Sequence, residues 1–167
     1  SSAASDVYKR QVITVQKFSE NEWLLDGILE GNQNAQNVVI MLHEGGYNRD
    51  ENGLFPVIEG SAIKKENNKI IFQTKNYGNY EILTNSLIKN DEFATFRYDL
   101  RNHGKSLVND KMDKRDTLYM RLAKDLRDVI KYLKNKYSFK KIYFIGTGIG
   151  ALVIEYYLTK INDIPLN

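Results

Sequence analysis

The apolar positions of this chain form short β-branched runs separated by segments with helical spacing. Residues 12–15 and 23–29 predict two strands, and residues 94–100 and 142–145 predict two more. Residues 37–42 are a continuous apolar run of the kind that is buried inside a parallel sheet. Residues 69–73 indicate either a further short strand or an extended excursion.

Three segments carry the periodicity of helices. Over residues 80–88, four apolar residues are predicted to share one face: Ile82, Leu83, Leu87 and Ile88. Between residues 118 and 137 the apolar positions step mainly by three or four, and they are Leu118, Leu122, Leu126, Val129, Ile130, Leu133 and Tyr137. A last helix is predicted from residue 150 to about residue 160. Strands alternating with helices predict an α/β fold with three layers, α/β/α, around a mostly parallel sheet.

The composition narrows the class of protein. At 167 residues the chain has the length of one domain, and no stretch reaches the roughly 18 to 20 apolar residues of a membrane span. The net charge of +3 comes from 24 basic and 21 acidic residues, which is a mixed surface and does not indicate a nucleic-acid partner. Absence of cysteine excludes disulfides and thiolate catalysis and favours a cytoplasmic location.

The first residues differ from the rest. Residues 1–11 have neither apolar periodicity nor the hydrophobic core of a signal peptide. We interpret them as a non-native or disordered leader, and residues 12–167 as the folded part.

The turn between the strand at residues 142–145 and the last helix carries the candidate chemistry. Gly146 and Gly150 occupy the outer positions of a G-x-S-x-G nucleophile elbow, with Gly148 where the serine would stand. Gly146, Gly148 and Ala151 also have the spacing of a dinucleotide-binding turn. The turn alone fits part of each pattern.

Three motifs in order resemble the α/β-hydrolase superfamily. The H-E-G-G sequence at residues 43–46 resembles the H-G-x-G loop after the third strand, and residues 99–106 resemble the D-x-R-G-H-G-x-S loop after the fourth. The glycine-rich turn then stands where the nucleophile elbow follows. The resemblance is to bacterial esterases, monoacylglycerol lipases and serine aminopeptidases. It covers about residues 12–160 and implies the N-terminal half of that fold, with the C-terminal half missing and the last strand left at an open edge.

This resemblance implies acyl transfer from a small-molecule ester or amide, without a cofactor or metal, by a serine, a histidine and an acidic residue. It places the oxyanion donors at Gly45 and Ile149 and the nucleophile at Gly148, which has no hydroxyl to offer. A structural role is implied for a larger set: His43, Gly46, Asp99, Arg101, His103, Gly104, Ser106, Gly146 and Gly150. Glu44 replaces the usual glycine of the first motif, and its charge would oppose an oxyanion unless the side chain points away.

Two functions remain open on these grounds. One is a carboxylic-ester hydrolase whose triad is incomplete here, because the 17 residues after Gly150 include no histidine. The alternative is a non-catalytic hydrolase-fold protein that binds a ligand or partner, as the resemblance to the N-myc downstream-regulated family implies. A dinucleotide-binding fragment is a distant third, since the motif follows the last strand and not the first.

Other candidate residues have simpler explanations. His43 as a catalytic base is disfavoured, because the resemblance implies a structural role for the histidine of this loop. A metal bound between His43 and His103 is disfavoured because the two histidines lack a ligand spacing. Residues 48–59 match part of a calcium-loop pattern, but a proline interrupts them and a strand precedes them. Thr147 points in a different direction from the elbow position, and Ser106 is expected to cap a turn or helix.

Overall fold

The structure is a computed structural model that describes residues 11–15, 25–50, 62–66, 69–73, 78–106 and 117–166. For residues 11–15, 62–66 and 69–73 it describes the backbone. Residues 1–10 of the predicted leader, Trp23 and residues 51–59 of the calcium-loop pattern lie outside the described residues, whereas Gln11, the last residue assigned to the leader, begins the first strand.

The centre of the fold is a five-stranded sheet. In chain order its strands are β1 (Gln11–Val15), β2 (Leu25–Gly31), β3 (Asn37–Leu42), β6 (Phe93–Tyr98) and β7 (Lys141–Gly146). Their spatial order is β1-β2-β6-β3-β7. β2 is antiparallel to both of its neighbours, whereas β3 is parallel to β6 and to β7, so four of the five strands run in one direction. This confirms the mostly parallel sheet.

A separate hairpin interrupts the α/β pattern. Its strands are β4 (Ala62–Glu66) and β5 (Lys69–Gln73), which pair antiparallel. The segment at residues 69–73 is therefore a strand, one of the two readings that the sequence allowed.

Helices cover both faces of the sheet. α1 (Asn79–Leu87) packs on one face, and α2 (Leu118–Lys136) and α3 (Ile149–Tyr156) pack together on the other. A π-helical turn, Tyr157–Ile161, continues α3. Thr117 caps α2 by accepting a hydrogen bond from the Met120 N–H at 3.3 Å, as a threonine before a helix commonly does. The predicted three-layer arrangement is confirmed.

The alternation of β3 explains the two layers of core. Val38, Ile40 and Leu42 face α2 and α3, while Val39 and Met41 face α1. All five are buried. A strand that is apolar on both faces is what a sheet covered by helices on both sides requires.

Two residues of the predicted helical faces are exposed. Ile82 is 42% exposed, because the buried face of α1 is formed by Tyr80 and Thr84 with Leu83 beside them. Leu118 is 52% exposed, because it opens α2 and the buried part of that helix begins one turn later. Both predictions were wrong at these positions, although the helices themselves are confirmed.

The ends of two strands matter for the site. β6 stops at Tyr98, two residues earlier than predicted, so Asp99 already belongs to the loop. β7 is the last strand of the sheet, and in the described part of the chain its Ile142 N–H donates to the Leu166 carbonyl at 3.2 Å. Within the same part, no helix is both long and apolar enough to cross a membrane.

Candidate functional site

Three loops meet where the parallel strands β3, β6 and β7 end. Because these strands lie side by side and point the same way, the loops that follow them share one edge of the sheet. We call residues 43–46 the first loop, residues 99–106 the second loop and residues 146–150 the elbow. Hydrogen bonds join them: the Gly46 N–H donates to His103 at 3.0 Å, and the Thr147 N–H donates to the Leu42 carbonyl at 3.2 Å.

The elbow is a tight turn in which three positions have no room for a side chain: residues 146, 148 and 150. Gly148 has φ +50° and ψ −117°, a backbone conformation that side-chain-bearing residues rarely adopt. A Cβ on Gly150 would lie 2.2 Å from the Leu42 carbonyl oxygen, and one on Gly146 would lie 2.6 Å from the Ala151 nitrogen. Strand, strained turn and helix therefore follow each other as in a nucleophile elbow.

Glu44 places its carboxylate between the first loop and the elbow. Its Oε1 accepts hydrogen bonds from the Gly45 N–H at 2.6 Å and from the Ile149 N–H at 3.1 Å. These are the two N–H groups at which the sequence placed the oxyanion donors. An unhindered oxyanion site would require the Glu44 side chain to point away from these two N–H groups. Instead it points toward them.

The same carboxylate fills the space of a side chain at position 148. A Cβ built on Gly148 would lie 1.3 Å from Glu44 Oε2 and 2.0 Å from its carboxyl carbon. A serine at this position is therefore incompatible with the observed position of Glu44. In the sequence, Glu44 and Gly148 are two separate departures from the α/β-hydrolase motifs. In the structure the two residues are adjacent, and the glutamate occupies the space that the glycine leaves.

His43 connects the first two loops beneath the site. Its side chain is fully buried, and its Nε2 accepts a hydrogen bond from the Leu100 N–H at 2.9 Å. Nδ1 must then carry the proton, and it donates to the Glu44 carbonyl at 2.7 Å. Burial lowers the pKa of His43, and the hydrogen bond to the Glu44 carbonyl partly opposes this shift.

His103 forms a second connection next to His43. Its Nε2 accepts from the Gly46 N–H, and its Nδ1 contacts the Arg101 carbonyl at 2.9 Å. The two imidazole rings meet edge to face with their centroids 5.1 Å apart. Both nitrogens of each ring therefore contact backbone groups of the first and second loops.

The second loop is held together by its own polar side chains. Asp99 accepts hydrogen bonds from the Arg49 N–H at 2.8 Å and the Lys105 N–H at 2.9 Å. The Ser106 hydroxyl donates to the Asp99 carbonyl at 2.5 Å and accepts from the Asp26 N–H at 2.9 Å. Ser106 thus ties this loop to β2.

Two further residues of the second loop are tightly enclosed. Arg101 forms a bidentate ion pair with Asp125 of α2, with two N–O distances of 2.7 Å, and both side chains are buried. Gly104 has φ +50°, and a Cβ there would lie 2.3 Å from the carboxyl carbon of Asp99. A side chain at residue 104 therefore does not fit this packing.

Thr147, the hydroxyl next to the elbow position, is directed elsewhere. Its Oγ1 lies 3.2 Å from the Tyr80 hydroxyl, which donates to the Leu42 carbonyl at 2.7 Å.

In the part of the chain that the structure describes, no group of three or more His, Cys, Asp or Glu residues is arranged to hold a metal ion.

The fold is similar to that of several solved hydrolases. An esterase of Pyrococcus furiosus, Pf2001, is 22% identical with a TM-score of 0.63, over 94% of this chain and 49% of that one. A proline iminopeptidase-related protein of Thermus thermophilus is 17% identical with a TM-score of 0.57, over 92% and 41%. An epoxide hydrolase of Vigna radiata is 13% identical with a TM-score of 0.58, over 94% and 36%. The chain spans half the length of these proteins or less.

No curated protein matches this chain. A family profile does match it over residues 29–164, which is most of its length and includes all three loops of the site. That profile describes an alpha/beta hydrolase of unknown function. The chain therefore belongs to this family of α/β-hydrolases (DUF915).

Proposed function

We propose that the elbow and the first loop form the acyl site of a carboxylic-ester hydrolase, for a small-molecule ester or amide. The observation that carries this proposal is the pair of N–H groups, from Gly45 and Ile149, that donate to one negatively charged oxygen. Acyl transfer requires two such donors where the carbonyl oxygen becomes an oxyanion. The solved esterase of similar fold supports the same reaction class.

In this proposal the donors supply the larger part of what the chain contributes to catalysis. Loss of one oxyanion donor costs about 2.7–4 kcal/mol in transition-state stabilisation in hydrolases where it has been tested. Ile149 is the first residue of α3, so the positive end of the helix dipole adds to its N–H. The nucleophile position is residue 148, and the acid and histidine of a triad would have to come from outside these 167 residues.

The remaining motif residues would hold this geometry without touching the substrate. His43 and His103 would fix the first loop to the second through backbone groups. Asp99, Arg101, Gly104 and Ser106 would fix the second loop to its surroundings. Their role would be to position the loops, because their polar groups bond to neighbouring parts of the chain and the space around Gly104 is filled by Asp99.

A second candidate function is a hydrolase-fold protein without catalysis. The observation that favours it is that Glu44 fills both the donor site and the side-chain space at Gly148. With no hydroxyl at residue 148 and an anion already at the donors, the chain as it stands is expected to lack serine-dependent ester hydrolysis.

The test compares three forms of the full-length protein: wild type, Gly148→Ser, and Gly148→Ser combined with Glu44→Gly. Hydrolysis of p-nitrophenyl butyrate is measured for each. We expect turnover in the double variant, because the serine then has both space and empty donors. Turnover that vanishes when the double variant is treated with a serine-directed fluorophosphonate would assign it to residue 148.

The outcome that rejects the hydrolase proposal is a folded double variant without turnover, in a protein whose downstream sequence supplies both an acid and a histidine. A wild-type protein that hydrolyses the ester as fast as the double variant would instead reject the assignment of residue 148. The non-catalytic function is favoured if the downstream acid and histidine are also missing.

A further inference from the structure

We propose that Glu44 is an internal ligand of the two donors, and that the site takes an external carboxylate in exchange for it. The ligand class is a small monocarboxylate, the chemical class of the acid released from an ester. This inference rests on the proposed donors Gly45 and Ile149 and adds a ligand to them. It also means that Glu44 can occupy this position only if residue 148 has no side chain.

The contacts of Glu44 resemble those of a bound carboxylate ligand. One oxygen receives two N–H groups from two different loops, 2.6 and 3.1 Å away. These donors are separated by 104 residues in the chain, so the carboxylate bridges the first loop and the elbow. An anion is further stabilised here because one donor is the first N–H of α3.

An external ligand can reach this site from solvent. In the described part of the chain Thr147 and Gly148 are exposed, and Glu44 itself is partly exposed. The Glu44 side chain is attached one residue before one of its donors. It therefore competes at the effective concentration of an intramolecular group, on the order of millimolar or higher.

The absence of a side chain at residue 148 makes this arrangement sterically possible. The carboxylate lies where the first atom of such a side chain would be, with Oε2 1.3 Å and the carboxyl carbon 2.0 Å from that point. A serine must therefore displace Glu44 from the donors. Conversely, Gly148 leaves space for either the Glu44 carboxylate or the carboxylate of a ligand.

The experiment is a titration with sodium butyrate of the ¹⁵N-labelled full-length protein, followed at the amide resonances of Gly45 and Ile149. Wild type is compared with Glu44→Gly, which removes the internal ligand. Glu44→Gln serves as a second variant of nearly the same shape and no charge. The matched control is Glu155→Gln, a glutamate exposed on α3 away from the donors.

We expect Glu44→Gly to shift both amide resonances before any ligand is added, because their acceptor is lost. Butyrate should then restore the shifts, with an apparent dissociation constant about tenfold or more lower than in wild type. Glu44→Gln should bind butyrate with intermediate strength, and Glu155→Gln should behave like wild type. If Glu44→Gly fails to fold, the dissociation constants of butyrate for Glu44→Gln and wild type are compared, and tighter binding by Glu44→Gln supports the proposal.

Two results would overturn the proposal in different ways. If Glu44→Gly leaves both amides unmoved, or if all forms bind butyrate equally, Glu44 is not the internal ligand. If both amides move in Glu44→Gly but butyrate has no effect, the exchange with an external carboxylate is wrong. Neither result touches the esterase test of the Gly148→Ser variants, which judges the proposed function separately.

Discussion

The second loop and the elbow lie at the same edge of the sheet but tolerate change very differently. In the second loop, Asp99, Arg101 and Ser106 each bond to another part of the chain. At the elbow and the neighbouring first loop, the groups that donate to Glu44 are the backbone N–H groups of Ile149 and Gly45, and the residues around them depart from the α/β-hydrolase motifs at Glu44 and Gly148.

The difference follows from which atoms carry each function. A backbone N–H stays in place whatever side chain its residue has, so a site built from N–H groups survives a change of side chain nearby. A loop held by buried side chains does not, because each loss leaves a buried partner unsatisfied. We therefore expect loss of a polar side chain in the second loop to reduce stability, and a change at Glu44 to alter what binds at the two N–H groups.

The largest effect is expected for Arg101→Ala. The substitution removes the guanidinium from its buried ion pair with Asp125, and breaking a buried ion pair by removing one side costs about 3–5 kcal/mol. Urea unfolding of the full-length protein measures it as a lower midpoint. The control is Arg127→Ala on α2, the helix that carries Asp125; the pair of Arg127 with Asp163 is partly exposed and worth less than about 1 kcal/mol. Equal losses in the two variants would contradict the rigid role of the second loop.

The glycines of the two loops give a smaller and sharper contrast. Gly46 and Gly104 both have positive φ, +80° and +50°, so alanine at either position costs about 1–2 kcal/mol in backbone strain. A Cβ at Gly46 meets nothing within 4 Å, whereas one at Gly104 meets Asp99. Gly104→Ala should lose about 1–3 kcal/mol more by overpacking.

Thermal unfolding of Gly46→Ala and Gly104→Ala, measured side by side, checks this contrast. Because the strain from positive φ is common to both, the difference between their melting temperatures reports the contact with Asp99. A Gly46→Ala variant that is as unstable as Gly104→Ala would show that the first loop is enclosed as tightly as the second.

The sequence predicted the fold well because the fold depends on apolar periodicity. The continuous run at residues 37–42 became β3, an inner strand of the sheet, and the stripe over residues 118–137 became α2. Ile82 was predicted to be buried and is exposed, because the buried face of α1 was predicted from its aliphatic residues alone. The helix instead buries Tyr80 and Thr84, whose side chains also have apolar atoms but are not part of an aliphatic pattern.

The sequence predicted where the candidate residues lie in the fold, but it did not predict that the Glu44 carboxylate binds the two N–H groups. The motifs located Gly45, Ile149 and Gly148 at one edge of the sheet, since parallel strands end together. The direction of the Glu44 side chain depends on the space beside Gly148, 104 residues away in the chain. No local pattern reports that space. The available signal was the coincidence of two departures, a larger residue in one motif and a smaller one in another.

A smaller effect is expected for Ser106→Ala. The hydroxyl is buried, and its removal leaves the Asp26 N–H and the Asp99 carbonyl without this partner, at about 1–3 kcal/mol. The matched control is Ser86→Ala on an exposed position of α1, where alanine is also the better helix former. Chemical denaturation should show a loss for the first variant and no loss for the second.

The smallest effect is a pH dependence carried by His43, because it involves one hydrogen bond. Burial lowers the pKa of this histidine below its usual 6.5; the facing carboxylates of Asp99 and Glu44 act against this shift and His103 acts with it. The unfolded chain therefore binds more protons than the folded one between the lowered pKa and 6.5. Stability is fully present above pH 6.5 and falls as the pH drops through that window.

The structural cause of this pH dependence is the Leu100 N–H, which donates to Nε2 and loses its acceptor once that nitrogen is protonated. Urea unfolding at a series of pH values between 7 and 5 should show the loss in wild type and a shallower slope in His43→Asn, which has no ring to titrate. Comparing the two removes the titration of carboxylates, which both proteins share. Identical slopes, or a wild-type stability that rises as the pH falls, would mean that the first loop is not held to the second through a neutral His43.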